Sequence, residues 1–250
     1  MALTFRQGQI IDYLTQKKHA KISEISKHIA ASDATVRREL TELKKLGLIE
    51  RDHGGAVILE SADEISIFVR QKLGTNDKEE TSRIANMKLP DFKTVFIDNS
   101  STALIYTQRL NFAHKTVVTN GIVLAMQLAR KKDVFVLMPG GSLAYNTNSL
   151  TGYNAIKAID QLHFNLMICS CTSINENGVF ESSLDQCEIK RTALKNSSYK
   201  VLLVDKTKFN DNSMYRTCSL SDFDAIYTNA LDATVAPLRR LEGVKIINKA

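Results

Sequence analysis

Several features typical of other protein classes are scarce or missing in this chain of 250 residues. No apolar run approaches the ~20 residues that a helix needs to cross a bilayer, and the N-terminus has no stretch of signal-peptide length, so a cytoplasmic protein is expected. Three prolines and eleven glycines argue against low complexity. The four cysteines form no Cys-x-x-Cys pair and no zinc-type spacing with histidine, so we expect reduced, mostly buried thiols, no bound metal and no cofactor.

The charge of the chain is compatible with nucleic acid as a partner but does not identify it. The net charge is +6, with 44% hydrophobic and 24% charged residues, which is ordinary for a globular protein. Residues 1–60 contain ten Lys and Arg against eight Asp and Glu. An argument for DNA binding must therefore rest on where the basic residues are placed.

Apolar spacing divides the first sixty residues into three helices and a hairpin. Residues at helical spacing mark the first two helices: Phe5, Ile10, Ile11 and Leu14, then Ile22, Ile25 and Ile29. The segment 19–21 between them predicts a break. The short connection between the second and third helices indicates a helix-turn-helix.

The third helix has the features of a helix that reads DNA. Ser32 is a good N-cap, an apolar stripe runs from Val36 to Leu46, and Gly47 is expected to end the helix. Arginine can read guanine bidentately or bind phosphate, and we expect Arg37 and Arg38 to divide these roles in an order that the sequence leaves open. The residues predicted to contact DNA from this helix are Ser32, Ala34, Thr35, Arg37, Arg38, Thr41 and Lys45.

A short hairpin follows this helix and predicts a wing. Residues 48–51 and 56–59 are the predicted strands, and 52–55 form a turn with two glycines that allow close approach to a phosphate. Arg51, His53 and Gly54 are the predicted contacts. The sequence therefore predicts a winged helix-turn-helix on double-stranded DNA, and paired half-sites imply a homo-oligomer, either a dimer or a tetramer.

Three motifs in this region resemble the DNA-binding domain of the DeoR family of bacterial transcriptional regulators. They are Ser-x-x-Thr-x-Arg-Arg-Glu-Leu at 32–40, Leu-x-x-x-Gly-Leu-Ile at 43–49 and Arg-x-His-Gly-Gly-Ala at 51–56. The match covers roughly residues 3–58. The family usually has Asp where this chain has Glu39.

The rest of the chain predicts an α/β domain at 90–250, joined to the winged domain at 1–60 by a polar linker at 61–89 that contains a short helix from about 77 to 87. Strands that alternate with helices indicate a mostly parallel sheet covered on both faces. The predicted strands are 94–97, 116–118, 134–137, 166–169, 201–204, 225–227 and 244–247. The predicted helices are 102–110, 121–131, 152–160, 186–197 and 233–241.

Polar loops follow five of these strands, at the edge where such sheets bind ligands. Hydroxyl groups and backbone N–H groups at a helix start favour an anion, and lysines supply positive charge. This combination predicts a pocket for a phosphorylated sugar. The predicted ligand contacts are Asp98, Ser100, Ser101, Thr102, Thr119, Asn120, Gly140, Gly141, Lys190 and Lys208.

The same loops resemble the DeoR C-terminal sensor domain, which is similar in fold to ribose-phosphate and glucosamine-phosphate isomerases. The motifs are Asp-x-x-Ser-Thr at 98–102, Thr119-Asn120, Gly140-Gly141 with Gly152, Glu188-Ile189-Lys190 and Asp205-x-x-Lys208-Phe209. The resemblance implies a phosphorylated sugar as inducer and adds Glu188 to the predicted contacts.

Several residues depart from the pattern of the family. Ser100 stands where the family often has glycine, Ala144 where it often has arginine, and the loop 170–173 replaces a Gly-Ala-Asp-Gly type. The lysine that the family normally has near Thr81 is missing. These changes predict a pocket with an altered ligand, with weak binding or with no sensing.

Three hypotheses for the function follow. The leading one is a regulator, expected to repress a sugar-catabolism operon until a sugar phosphate releases it from DNA. The second is an isomerase-like enzyme that recruits Asp98, Glu188 or Asp205 as acid and base. The third is a DNA-binding protein whose C-terminal domain no longer senses a ligand.

Overall fold

The computed structural model describes residues 4–45, 48–52, 54–58, 66–86, 89–209 and 213–249. By their contacts, the residues form two compact units that divide between Gly74 and Thr75. The boundaries expected from the sequence at 60 and 90 stay a prediction. Part of the predicted linker is helical and belongs to the second unit, because Ile84 and Ala85 are buried in the core of that unit.

The first unit has three helices and a small antiparallel sheet. Its main helices are α1 (Phe5–Lys17), α2 (Ile22–His28) and α3 (Asp33–Lys45). The sheet has the order β1-β3-β2, with β1 at His19–Lys21, β2 at Ile49–Arg51 and β3 at Gly55–Ile58. A short helix, α4 (Ile67–Arg70), follows. One core cluster joins the three main helices to the sheet.

One expectation for this unit was incomplete and one was wrong. The break expected at 19–21 does separate α1 from α2, but these residues also form a strand that pairs with β3 and extends the predicted hairpin to three strands. Phe5 does not belong to the buried stripe of α1 and is 84% exposed. It is the first residue of its helix, where it faces solvent. Leu46, Gly47, His53 and the end of the second predicted strand at 59 lie outside the described residues.

The second unit is built on a seven-stranded parallel sheet, as predicted, with the order β15-β14-β12-β9-β4-β5-β6. The strands are β4 (Thr94–Ile97), β5 (Lys115–Thr119), β6 (Val134–Leu137), β9 (Phe164–Cys169), β12 (Ser197–Val204), β14 (Ala225–Thr228) and β15 (Ile246–Ile247). The helices are α5 (Thr75–Ala85), α6 (Ser101–Tyr106), α7 (Ile122–Leu128), α8 (Tyr153–Asp160), α9 (Leu184–Lys195) and α10 (Asp232–Arg239). Each predicted strand and helix lies within a few residues of its observed place.

Alternate residues of each central strand enter two separate cores. In β4, Phe96 packs on the side of α8, α9 and α10, whereas Val95 and Ile97 pack on the side of α5, α6 and α7. A strand that is buried on both faces reads as a continuous apolar run. This explains why the strands of this sheet can be recognised in the sequence.

Five short strands around the carboxyl edge of the sheet were not predicted. Strands β7 (Ser142–Ala144) and β8 (Ser149–Thr151) form a hairpin. Strands β10 (Ser173–Asn175), β11 (Gly178–Glu181) and β13 (Tyr215–Cys218) form a separate antiparallel sheet. These strands have three or four residues each, which is too short for an alternating pattern to show. Within the described ranges, no helix has both the length and the apolar content needed to span a bilayer.

Candidate functional site

The exposed face of α3 carries the residues predicted to meet DNA. Ser32 caps the helix, as the Thr35 N–H donates to its Oγ over 3.3 Å. Val36, Leu40 and Leu43 are buried in the core. Ala34, Arg37, Arg38 and Lys45 are exposed, together with Thr41.

Arg37 and Arg38 have no side-chain hydrogen bond or ion pair within the parts of the chain that the structure describes. Their guanidinium groups lie in solvent on adjacent positions of the helix. Lys45, in contrast, pairs with Glu42 over 2.8 Å at the surface. The two arginines are thus the cations of this face that can bind a base or a phosphate without first breaking an internal contact.

The wing is tied to α3 by a hydrogen bond from its first strand, β2. Arg51 Nη1 donates to Thr41 Oγ1 over 2.9 Å, and the Thr41 hydroxyl donates to the Arg37 carbonyl over 2.8 Å. Glu50, the neighbour of Arg51, pairs with Lys44 over 2.7 Å. These contacts fix the direction of β2 against the helix, so that both can present one continuous surface.

Asp52 closes the turn of the wing. Its Oδ1 accepts the N–H groups of Gly54 and Gly55 over 3.0 and 2.6 Å, and its Oδ2 lies 2.8 Å from His19 Nε2 on β1. The pKa of Asp52 is lowered, chiefly because the Gly54 N–H donates to the carboxylate. A Cβ on Gly55 would meet the Ala20 carbonyl oxygen at 2.2 Å, so this second glycine is required for the approach of β1 to β3.

Glu39 connects α3 to α1. It lies on the buried side of α3, where its Oε2 accepts from Gln7 Nε2 over 2.8 Å and its Oε1 lies 3.5 Å from Arg6 Nη1. Gln7 is itself fixed, because its Oε1 accepts the Thr4 N–H in the capping box of α1. Glu39, which is longer than the Asp that the family usually has at this position, therefore has a specific partner in Gln7.

In the second unit, the polar loops meet where the chain order of the sheet reverses. Strands β4, β5 and β6 run to one side, and the chain then returns to place β9 on the other side of β4. Ligands of such sheets bind outside the carboxyl ends of the two strands at this point. Asp98 follows β4 and Ser170 follows β9, and the Ser170 N–H donates to Asp98 Oδ2 over 3.3 Å. We call this place the switch-point crevice.

Three buried charged groups lie beneath the crevice. Lys190 Nζ is 3.1 Å from Asp98 Oδ2 and 2.5 Å from Glu181 Oε1, and all three side chains are at most 5% exposed. Burial alone lowers the pKa of Lys190, but Glu181 and then Asp98 outweigh it and hold that pKa well above its usual value. The cluster has one cation and two anions, so Lys190 is already neutralised and can offer only its remaining N–H to a ligand.

Three polar atoms at the same edge are buried without a hydrogen-bond partner within the described part of the chain. They are Asn99 Nδ2, Asn120 Oδ1 and Asp205 Oδ2. Asn99 follows β4, Asn120 follows β5 and Asp205 follows β12, so the atoms come from three loops of one sheet edge. A buried polar atom without a partner costs free energy. One donor and two acceptors left in this way are suited to the hydroxyl groups of a ligand.

A hydrogen-bond network fixes the β7–β8 hairpin beside the crevice. Asn120 Nδ2 donates to Gln186 Oε1 and to the Leu150 carbonyl, each over 3.3 Å. Gln186 Nε2 donates to Ser149 Oγ over 2.7 Å, and Ser149 Oγ lies 2.7 Å from Thr147 Oγ1. Asn120 is therefore shared between the crevice and the hairpin.

The other predicted ligand contacts differ in what their side chains already bind. Ser100 donates to Asp98 Oδ1 over 2.5 Å and caps α6, and Thr119 Oγ1 accepts the Gly121 N–H over 3.0 Å. Ser101 and Thr102 are buried in the first turn of α6. Lys208 lies half-buried in the turn after β12.

Three further predicted contacts remain, namely Glu188, Gly140 and Gly141. Glu188 is 40% exposed on another side of α9 from Lys190 and pairs with Arg191, so the structure does not bring it to the cluster. Gly140 and Gly141 are exposed at the start of the hairpin, with φ of +71° and +103°.

Comparison with known proteins agrees with this architecture. The DeoR-like helix-turn-helix domain matches residues 6–62, and the DeoR C terminal sensor domain matches residues 74–230. The chain belongs to the DeoR family of transcriptional regulators. It is thus a DNA-binding regulator, as the motifs at 32–56 predicted.

The DeoR-family relatives include proteins of both regulatory signs. The chain is 31% identical to the glycerol-3-phosphate regulon repressor of Escherichia coli (strain K12), over 92% of each chain. It is 28% identical to the L-fucose operon activator of Haemophilus influenzae, over 91% of this chain and 92% of that one. It is 28% identical to the lactose phosphotransferase system repressor of Staphylococcus aureus (strain N315), over 88% and 90%.

A solved structure of ribose 5-phosphate isomerase A from Methanocaldococcus jannaschii aligns with 52% of each chain, at a TM-score of 0.35 and 13% identity. This likeness is too low to bear on the fold or the function. The isomerase-like fold implied by the motifs stays a prediction.

The sequence did not identify several polar residues of the crevice. Glu181 lies on β11, one of the short strands that leave no pattern. Gln186 and Ser149 occupy ordinary positions of a helix and a hairpin, and only the fold brings them to Asn120. Asn99 lies inside the motif at 98–102, and its position between two predicted contacts was the available signal.

Proposed function

We propose that this DeoR-family protein binds an operator as a homo-oligomer, represses a sugar-catabolism operon, and is released by a phosphorylated sugar bound in the switch-point crevice. The two unpaired arginines of α3 support the DNA contact. The observation that carries the sensing role is the set of buried, unpartnered atoms on Asn99, Asn120 and Asp205.

The position of these atoms supports a ligand with several hydroxyl groups. Asn99 Nδ2 can donate to one hydroxyl, and the two oxygens can accept from others. Lys208 is the basic group available to a phosphate, and Lys190, whose charge Asp98 and Glu181 already neutralise, can add only one N–H. Two of the relatives described above carry glycerol 3-phosphate or a sugar phosphotransferase system in their names, which favours a phosphorylated ligand.

The proposed DNA contacts assign separate roles along α3 and the wing. Arg37 and Arg38 bind a base edge and a phosphate, with Ser32, Ala34, Thr35, Thr41 and Lys45 around them. Arg51 and Gly54 of the wing bind phosphate, and His53, which lies outside the described residues, is proposed from the sequence alone. Ligand binding releases DNA if the ligand binds the low-affinity conformation more tightly.

Fluorescence anisotropy with the labelled upstream region of the gene tests both parts of the proposal. A scrambled duplex of equal length measures sequence preference. Glycerol 3-phosphate and a panel of pentose and hexose phosphates are then added, with the same sugars lacking phosphate as controls. We expect one panel member to weaken operator binding at least tenfold. Equal affinity for the two duplexes would contradict operator recognition.

Asn99→Ala separates sensing from DNA binding. It removes an amide nitrogen that has no partner, so it leaves no other buried group unpaired. The variant should keep the operator affinity of the parent protein and lose the response to the active phosphate. If no phosphate binds in calorimetry, the alternative of a DNA-binding protein with a non-sensing C-terminal domain is favoured.

The isomerase alternative has less support. Asp98 is engaged by Ser100, Ser170 and Lys190, and Glu188 lies away from the crevice. The matched relatives are regulators. Turnover of pentose or hexosamine phosphates by the purified protein would restore the enzyme hypothesis.

A further inference from the structure

Strand β6 is an outer strand of the seven-stranded sheet. It pairs with β5 on one side and, within the described residues, with no strand on the other. The free side of an edge strand has unpaired N–H and C=O groups that can pair with another chain. Natural edges are commonly protected by charged side chains, by proline or by a covering element.

The strand and the residues after it carry no charge that would protect this edge, although Lys131, Lys132 and Asp133 directly precede β6. Residues 134–156 contain no Asp, Glu, Lys or Arg, although charged residues make up 24% of the chain. Residues 116–129, which include α7 and all of β5 except Lys115, also contain none. Pro139 follows the strand without interrupting it, since β6 ends at Leu137.

Large apolar side chains are exposed along the same edge. Phe135 of β6 is 63% exposed and Met126 of α7 is 60% exposed. Leu143 and Tyr145 in and after β7 are also exposed. An uncharged strip with several exposed large apolar groups is typical of a surface that another protein covers.

The distribution of charge along the chain favours a second copy as the partner of this strip. All 33 basic and 27 acidic residues lie outside 134–156 and 116–129, and the net charge is +6. Two copies of a basic protein repel each other unless they meet at uncharged surfaces. An acidic partner or a nucleic acid gains nothing from a strip without cations, whereas a second copy brings an identical neutral edge.

We propose that two copies of this chain join along β6, with the two strands antiparallel about a twofold axis and with Phe135 and Met126 buried between them. Such an interface is self-complementary, as twofold symmetry requires. The proposal rests on the proposed function only in that operator half-sites need two winged units. The new element is the surface by which the copies of the homo-oligomer are joined.

Sedimentation velocity over a range of protein concentrations tests the interface. Phe135→Lys places a positive charge on the edge. In the proposed dimer, the introduced lysines of the two copies would lie close together. We expect the midpoint concentration of association to rise at least tenfold, or the assembly to fall to its next smaller form. Leu231→Lys is the matched control, because Leu231 is 76% exposed and lies far along the chain from the strip. It should leave association unchanged.

A cross-linking experiment gives a second readout that does not depend on weakened association. Phe135→Cys, oxidised with copper phenanthroline, should yield a covalent dimer on a non-reducing gel, and Leu231→Cys should not. If circular dichroism shows that Phe135→Lys is unfolded, this experiment decides. A monomeric parent protein, or equal association of Phe135→Lys and Leu231→Lys without cross-linking of Phe135→Cys, would overturn the proposal. Neither measurement uses DNA, so failure here is distinct from failure of operator binding.

Discussion

Lys190 keeps two buried carboxylates, Asp98 and Glu181, within reach of one ammonium group. The predicted ligand residue is therefore also a structural residue. A buried charge that loses its partner is costly, whereas a surface ion pair contributes little. This difference can be measured on a single helix, because α9 carries both kinds of lysine.

Lys190→Met should lower the free energy of unfolding by about 3–5 kcal/mol, since it leaves two buried carboxylates uncompensated. Lys195, near the end of the same helix, is 74% exposed and pairs with Asp160 at the surface. Lys195→Met should therefore change the stability by less than ~0.5 kcal/mol. Urea unfolding of both variants gives the comparison, and equal losses would show that the cluster is not what stabilises this region.

Arg38→Ala should weaken operator binding. If Arg38 reads a base, discrimination between operator and scrambled DNA falls by about 1–3 kcal/mol. If it binds phosphate, affinity falls about equally for both duplexes and the salt slope decreases by roughly one. The same measurements on Arg37→Ala assign the other role.

Arg240→Ala serves as the control for both arginine variants. It removes an equal charge from an exposed position in the second unit. In anisotropy measurements at several salt concentrations, its operator affinity and the salt dependence of that affinity should match those of the parent protein. An Arg38→Ala protein that behaves like Arg240→Ala would argue against α3 as the reading helix.

At the scale of elements, the packing of the β7–β8 hairpin requires glycine at position 141 more strictly than at position 140. A Cβ on Gly141 would meet the Thr151 carbonyl oxygen at 2.5 Å and Ala155 Cβ at 2.9 Å, whereas a Cβ on Gly140 would meet nothing within 4 Å. Both residues have positive φ, so both substitutions carry backbone strain of about 1 kcal/mol. The steric clash is specific to Gly141.

Gly141→Ala should accordingly lower the melting temperature more than Gly140→Ala, because only the former must displace the hairpin from α8. Differential scanning calorimetry measures both. Similar melting temperatures for the two variants would mean that the hairpin adjusts without loss, and that backbone strain alone matters here.

The contact between α1 and α3 gives an element-scale test of the departure at position 39. Glu39→Ala leaves the Gln7 amide without its acceptor, and about 1–3 kcal/mol of stability should be lost. Glu39→Asp is shorter by one methylene group and should lose part of this, unless α1 moves closer. A double-mutant cycle with Gln7→Ala isolates the pair, and a coupling energy near zero would contradict the role of the contact.

At the scale of the whole molecule, the second unit buries Cys169, Cys171 and Cys187 and partly buries Cys218, and this has a consequence for the chemistry of the thiols. Burial raises the pKa of Cys169 and Cys171 well above its usual value, and it raises that of Cys218 to about 12. Because the thiolate is the reactive form, these thiols should resist Ellman's reagent at pH 8 in the folded protein and react after unfolding in urea. Rapid reaction of the native protein would contradict the packing described here.

The raised pKa values of these thiols determine how the stability of the protein changes with pH. Thiols whose pKa is raised by folding favour the native state at pH values below the ordinary thiol pKa of ~8.5. That contribution is lost as the pH rises toward the higher native values, because only the unfolded thiols ionise there. The melting temperature should therefore fall above about pH 8.5, and less steeply in Cys169→Ala.

Much of the molecule could be predicted from its sequence because its central strands are buried on both faces. The runs 95–97 and 201–204 are apolar throughout, and burial alone explains them. The strand at 19–21 was missed since its pairing partner, β3, lies more than thirty residues away. Local pattern contains no information on such a pairing.

The candidate crevice was predicted in outline and not in detail. Asp98, Asn120 and Lys190 were found from their positions after strands or from motifs. Glu181 reaches Lys190 only through a strand of four residues, and Glu188 was placed with Lys190 although the two point to different sides of α9. Neighbourhood in sequence was a poor guide to neighbourhood in space at this point.

The switch-point crevice joins loops that are distant along the chain, since Asp98 and Ser170 are 72 residues apart. Such a site exists only while both halves of the sheet are assembled. A molecule that occupies it must shift the unfolding equilibrium, by about 2.7 kcal/mol when present at a hundred times its dissociation constant. Thermal denaturation in the presence of candidate compounds is therefore a screen for the inducer that requires no knowledge of the promoter.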